Sequence, residues 1–115
     1  MRMKIDELTS AADAAEARPD AASLRRAAAA AVALADEAAR NPDLDHDQRA
    51  EASRVARSDY MAIARTVASG GGFRLEIPGD DPAGPVEIVM EDGGRFDARG
   101  FVRRLVSDWR RVFGG

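Results

Sequence analysis

Apolar and polar positions separate most sharply near the end of the chain, in residues 96–113. At about 100° per residue, one side of this segment carries a continuous apolar arc of roughly 140°. The arc consists of Phe101, Val102, Leu105, Val106, Trp109, Val112 and Phe113. The opposite side carries Arg103, Arg104, Arg110 and Arg111. The pattern predicts an amphipathic C-terminal helix, capped by Asp97, that buries its apolar arc and exposes a basic strip.

Three more helices are predicted in residues 1–69, where apolar residues recur at three- and four-residue spacing. The first covers residues 5–17 and ends at Arg18-Pro19, because proline disfavours helical geometry in the residue before it. The second runs from about Asp20 to Arg40 and is rich in alanine, the best helix former. Its inner stripe is predicted to be Leu24, Ala28, Ala31, Leu34 or Ala35, and Ala38.

The third helix is predicted to begin at Asp45 and to extend to about Ser69. Asp45 can cap the free N–H groups of the first turn, and Gln48 three residues later completes a capping box. Since only residues 41–44 separate this helix from the second one, the two are expected to form an antiparallel hairpin.

The pattern changes from helical to alternating after the glycine run at residues 70–72. Residues 73–77 alternate strictly between apolar and polar, which predicts a half-buried strand. A loop rich in proline occupies residues 78–85, and residues 86–91 form a second predicted strand. The core-facing residues of that strand are expected to be Val86, Ile88 and Met90. Trp109 is expected to be buried with a strand face opposite it, formed by Phe73, Leu75, Ile77, Ile88 and Met90.

Asp92-Gly93-Gly94 is a tight-turn signal, after which Arg95 and Phe96 are expected to add a brief third strand. The order of elements predicts an α+β fold: an N-terminal helical hairpin of three Ala-rich helices, a small antiparallel sheet and a C-terminal amphipathic helix. We expect one domain over residues 1–115, divided into a helical part at 1–69 and a second part at 70–115.

Charge is unevenly distributed along the chain. The net charge is −3, which argues against coating a nucleic acid or an anionic membrane. Residues 95–115 carry six arginines and two aspartates, a net charge of +4, so residues 1–94 carry −7. Either the basic strip faces acidic helices of the same chain, or it faces a partner. The excess of arginine, sixteen residues against a single lysine, is typical of a GC-rich coding sequence.

Several function classes are excluded by composition. The chain has no cysteine, which excludes disulfides, thiolate metal sites and a cysteine nucleophile. The sequence Met1-Arg2-Met3-Lys4 lacks the apolar run of a signal peptide, and no stretch approaches the length of a membrane span. A cytoplasmic location is therefore expected.

The segment from Asp43 to Asp47 is the one candidate for a metal or acid–base site. Asp43, Asp45 and Asp47 match the first ligand positions of a calcium loop. Gln48 stands where that loop needs glycine, and Arg54 stands where it needs glutamate. His46 is the sole histidine, so a histidine-dependent hydrolase would have to use it. The favoured interpretation is helix capping, with the acidic groups at the positive end of the helix.

The glycine pairs and runs carry little chemistry. Residues 70–72 are not followed by the Lys-Ser/Thr of a phosphate-binding loop, so a flexible connector is expected. Gly114-Gly115 resembles the tail of ubiquitin-like modifiers, but it directly follows a helix, and a helix-terminating pair is the favoured interpretation.

These features predict a small non-enzymatic protein–protein interaction module, an adaptor or inhibitor of bacterial or phage origin. An acidic protein partner is expected, as is a homodimer through the Ala-rich helices. Catalytic, cofactor-binding and metal-binding residues are not predicted. The alternatives are a nucleic-acid-binding regulator that uses the C-terminal arginines and, more remotely, a hydrolase centred on His46. The predicted partner-binding residues are Arg99, Arg103, Arg104, Arg110 and Arg111, and the predicted dimer residues are Ala22, Ala29, Ala30 and Ala33.

Overall fold

The computed structural model describes residues 2–77, 79 and 84–113, with side chains from residue 5 onward. This part of the chain contains five helices and one three-stranded antiparallel sheet, which confirms the α+β fold class. Most of the predicted loop at residues 78–85, and Gly114-Gly115, lie outside the described residues. The elements are α1 (Arg2–Ala17), α2 (Ala21–Arg40), α3 (His46–Ala56), α4 (Asp59–Ser69), β1 (Phe73–Glu76), β2 (Glu87–Met90), β3 (Arg95–Asp97) and α5 (Ala98–Phe113).

Helix α2 is the central element of the helical part, and it packs against α1, α3, α4 and α5. Its start is set by a capping box: the Asp20 carboxylate accepts the Ser23 N–H at 2.7 Å, and the Ser23 hydroxyl accepts the Asp20 N–H at 3.0 Å. The backbone hydrogen bond from Ser23 lowers the pKa of Asp20. The predicted inner stripe is confirmed, and the buried residues of α2 are Leu24, Ala27, Ala28, Ala31, Leu34, Ala35 and Ala38.

The prediction of one long third helix is wrong, because the segment is divided into α3 and α4. The division lies at Arg57 and Ser58. The Ser58 hydroxyl donates to the Val55 carbonyl at 2.7 Å and accepts the Met61 N–H at 3.3 Å, so it ends one helix and caps the next. The N-terminal part therefore has four helices, where three were predicted. A serine between two segments of continuous apolar spacing is a weak sequence signal, and we missed it.

The sheet has the order β1-β2-β3, with Leu75, Ile88 and Phe96 in register across it. Ile88 is fully buried on this face, and its two neighbours are half-buried. Ile77 was predicted to face the core, but it is 54% exposed because β1 ends one residue earlier. Val89 lies on the opposite face and is also buried, between its cross-strand neighbours Arg74 and Arg95.

Three of the described glycines have the positive φ that other residues rarely adopt, and two of them, Gly70 and Gly93, end an element or form a turn. Gly70 has φ 85° and ends α4 in the left-handed region. Gly93 has φ 95° in the turn between β2 and β3, where the Met90 N–H donates to the Gly94 carbonyl at 2.8 Å. The turn at Gly93 falls where Asp92-Gly93-Gly94 predicted it, and the helical part ends at the glycine run as predicted, although the left-handed cap at Gly70 was not anticipated.

Helix α5 buries its apolar arc mainly against the other helices. Trp109 is completely buried, with Phe101 and Leu105 each 1% exposed, as predicted. The Trp109 indole N–H points to the Met61 sulfur of α4 at 3.4 Å. We had expected the strand face opposite Trp109; the structure places α4 there, because α5 packs across the helical layer and meets the sheet chiefly at β3. Among the described residues, no helix is both long and apolar enough to cross a membrane.

Candidate functional site: the groove between α1 and α5

The basic residues of α5 lie on two flanks of one helix. Asp97 sets the start of α5, because its carboxylate accepts the Gly100 N–H at 2.7 Å, as predicted. From this start the helical period places Arg103 and Arg110 beside α1, and Arg104 on the side that faces α3. We call these two sides the α1 flank and the α3 flank. Arg111 lies between them and lines both.

The α3 flank is organised around a buried carboxylate. Asp108 is 4% exposed, and its two oxygens accept the Arg104 Nε–H at 3.0 and 3.1 Å. The Arg104 guanidinium carbon also lies 4.9 Å from the centre of the Tyr60 ring, which is a cation–π geometry. Arg111 approaches the same carboxylate at 3.8 Å. Arg104 is thus held by contacts within the chain.

The Arg99 side chain is hydrogen-bonded to two backbone carbonyls. Its Nε–H donates to the Glu16 carbonyl at 2.9 Å, and its Nη1 donates to the Gly84 carbonyl at 2.9 Å. The side chain is half-buried and joins the first turn of α5 to the last turn of α1. Among the five predicted partner-binding arginines, Arg99 and Arg104 therefore have clear structural roles.

The α1 flank forms an open groove of about 860 Å³ between α1 and α5. Arg103 makes an ion pair with Glu16 across the groove. Arg110 points its Nη2 toward the Thr9 hydroxyl at 3.5 Å, the outer limit of a hydrogen bond. The residues that line the groove are Thr9, Asp13, Glu16, Arg103, Val106, Ser107, Arg110 and Arg111.

The two rims of the groove carry opposite charge. Asp13 and Glu16 form an acidic rim on α1, whereas Arg103, Arg110 and Arg111 form a basic rim on α5. The ion pair between Arg103 and Glu16 neutralises one charge on each rim, so part of the charge segregation in the sequence is satisfied within the fold. The remaining basic rim is available for carboxylates, which arginine binds through two parallel N–H donors.

Within the acidic segment at residues 43–47, Asp45 acts as a helix cap. The Asp45 carboxylate accepts the Gln48 N–H at 2.7 Å, and the Gln48 side-chain oxygen accepts the Asp45 N–H at 3.1 Å, which confirms the predicted capping box. His46 is exposed in the first turn of α3. Across the described residues, histidine and acidic side chains are nowhere grouped in threes that could hold a metal ion.

A second set of charges lies on the outer face of the sheet. Glu76 accepts from Arg95 at 2.8 Å and from Arg74 at 2.7 Å, and Arg95 also donates to Glu87 at 3.0 Å. The hydrogen bonds from Arg95 and Arg74 lower the pKa of Glu76, and the bond to Glu76 raises the pKa of Arg95. Two acidic and two basic side chains pair here with one another. This set therefore has fewer unpaired charged groups than the groove, and we favour the groove as the candidate site.

The acidic rim and the buried Asp108 are the residues that sequence reasoning missed. Asp108 had a local signal, because it stands at the edge of the apolar arc with Arg104 four residues before it and Arg111 three residues after it. Asp13 and Glu16 had none, since their position depends on the packing of α1 against α5, which are far apart in the chain.

No protein-family model matches this chain, and the searches of curated proteins and of solved structures likewise gave no match.

Proposed function

We propose that this chain is a non-enzymatic protein-interaction module, an adaptor or inhibitor that binds an acidic segment of a partner protein along the α1–α5 groove. The observation that carries the proposal is the state of Arg110. The residue is exposed, and its one side-chain hydrogen bond or ion pair with another described residue is the 3.5 Å approach to the Thr9 hydroxyl. Because the Arg110 guanidinium makes so few hydrogen bonds within the chain, its N–H donors can bind a carboxylate of a partner.

The surroundings of Arg110 support a protein partner. Arg111 extends the basic rim, with a side chain that is 59% exposed and 3.8 Å from Asp108. Val106 adds a half-buried apolar surface inside the groove. An apolar centre with a charged rim is the usual composition of a protein interface.

The acidic rim gives the interaction a direction. Asp13 is exposed on the α1 side of the groove. Carboxylates of a partner are therefore expected to face α5, while a basic or polar group faces α1. Charge complementarity of this kind sets the orientation of a complex more than its affinity.

Features elsewhere in the chain disfavour a nucleic acid in the groove. Arg104, one of the strip arginines, is held by Asp108 and Tyr60. Residues 1–94 carry a net charge of −7, which repels a polyanion. If four arginines did engage duplex DNA, the logarithm of affinity would fall with the logarithm of salt at a slope of about −3 to −4.

Affinity capture from cells of the source organism tests the proposal, followed by a binding measurement with the purified captured protein. We expect the double variant Arg110→Glu, Arg111→Glu to lose at least about tenfold in affinity, because two attractive contacts become repulsive. The matched control is Arg18→Glu, Arg25→Glu, which makes the same charge change at two exposed arginines outside the groove and should bind normally. Equal binding by the double variant would contradict the proposal. A micromolar DNA or RNA complex near physiological salt, lost on Arg103→Glu, Arg104→Glu, would favour the nucleic-acid regulator instead.

A further inference from the structure

The outward face of α2 is covered by no other element of the described chain. Four helices pack against its opposite side. On the outward face, positions that alternate by four and three residues form a straight line along the helix, which is the spacing with which two helices pack side by side. The residues on this line are Ala22, Arg26, Ala29, Ala33, Asp36 and Arg40. Ala33 is half-buried, and the other five are exposed.

Two opposite charges on this face have no partner in the fold. Neither the Arg26 guanidinium nor the Asp36 carboxylate makes an ion pair or side-chain hydrogen bond with another described residue. They cannot pair with each other, because ten residues of helix separate them by about 15 Å. Arg40, at the end of the same line, differs in that it pairs with Glu37 at 3.7 Å.

We propose that a second copy of this chain binds here, with the two α2 helices antiparallel about a two-fold axis between Ala29 and Ala33. This axis sets Ala29 of each copy against Ala33 of the other, and the small side chains allow a close approach. The same axis sets Arg26 of each copy against Asp36 of the other, so the dimer contains two such ion pairs and pairs each of these four charges once. The contact is closed and self-complementary, as two-fold interfaces are.

The charges also select the direction of pairing. In a parallel arrangement Arg26 would face its own equivalent and Asp36 would face its own, which places like charges together at both positions. Only the antiparallel arrangement matches opposite charges about one axis. A contact between single helices of 20 residues buries less area than a standard stable interface, so we expect a reversible dimer with a micromolar or weaker dissociation constant.

Charge exchange between two variants gives the decisive test, measured by sedimentation velocity from micromolar to submillimolar concentration. Arg26→Asp alone makes the face acidic at both contacts, and Asp36→Arg alone makes it basic at both. Each is expected to weaken self-association at least about tenfold, because attraction becomes repulsion at two symmetric contacts. An equimolar mixture of the two variants restores opposite charges at both contacts, so we expect heterodimers to associate as the parent does.

The controls separate this face from net charge and from the groove. Asp6→Arg makes the same charge change at an exposed position of α1 and should leave self-association unchanged. Arg110→Glu, Arg111→Glu should dimerise normally, so a failure of the groove proposal does not affect this one. Circular dichroism confirms that each variant is folded. A parent chain that is monomeric at every concentration, or a mixture that stays as dissociated as its components, would overturn the proposal.

Discussion

The two flanks of α5 contain similar residues in very different states. On the α3 flank, Arg104 is bound to a buried carboxylate and lies over an aromatic ring. On the α1 flank, Arg110 is exposed and only approaches a hydroxyl at 3.5 Å. The same residue type on one helix is therefore held by internal contacts on one side and left exposed with little internal bonding on the other. The difference comes from the surroundings: Asp108, four residues further along α5, and Tyr60 of α4 hold Arg104, whereas Arg110 meets only a hydroxyl of α1.

The apolar arc between the two flanks is expected to contribute most to stability. Trp109→Ala removes a fully buried indole and its contact with the Met61 sulfur, which should cost about 3–5 kcal/mol of unfolding free energy. Chemical denaturation followed by circular dichroism measures this change. A variant that unfolds at the same denaturant concentration as the parent would show that α5 does not dock through this arc.

Asp108→Ala removes the carboxylate at the centre of the α3 flank and should lower the free energy of unfolding by about 1–3 kcal/mol. The variant loses charge-assisted hydrogen bonds and leaves Arg104 and Arg111 facing each other. Equilibrium denaturation gives the value. Asp108→Asn keeps the shape and an acceptor oxygen, so it should cost less than the alanine variant. If both variants were as stable as the parent, the arginines of the α3 flank would contribute no more to stability than those of the α1 flank.

Arg103→Ala tests the α1 flank and should change the unfolding free energy by no more than about 0.5 kcal/mol. Its ion pair with Glu16 joins side chains that are 63% and 29% exposed, so water screens the attraction. The same denaturation experiment checks this expectation. A loss as large as that of Asp108→Ala would remove the distinction between the flanks.

Most of the local structure could be predicted from the sequence. The apolar arc of α5, the capping boxes at Asp20 and Asp45 and the turn at Gly93 all depend on residues a few positions apart, so their signals are present in short segments. Asp20 was predicted only as the start of a helix; its reciprocal bond with Ser23 was not anticipated. The division between α3 and α4 was missed because one serine hydroxyl makes it.

The sequence by itself determined that α5 would have a buried arc and a basic side, because a period of 3.6 residues follows from local backbone geometry. The sequence also placed Asp108 four residues after Arg104, but the tertiary structure decided that this carboxylate would be buried and that Arg110 would be left exposed. Glu16 and Tyr60 reach α5 from helices that are distant in the chain. Glu16 makes an exposed ion pair with Arg103, whereas the Tyr60 ring packs against the Arg104 guanidinium. Helical period places a side chain on a face, but only long-range packing supplies the neighbour that the face meets.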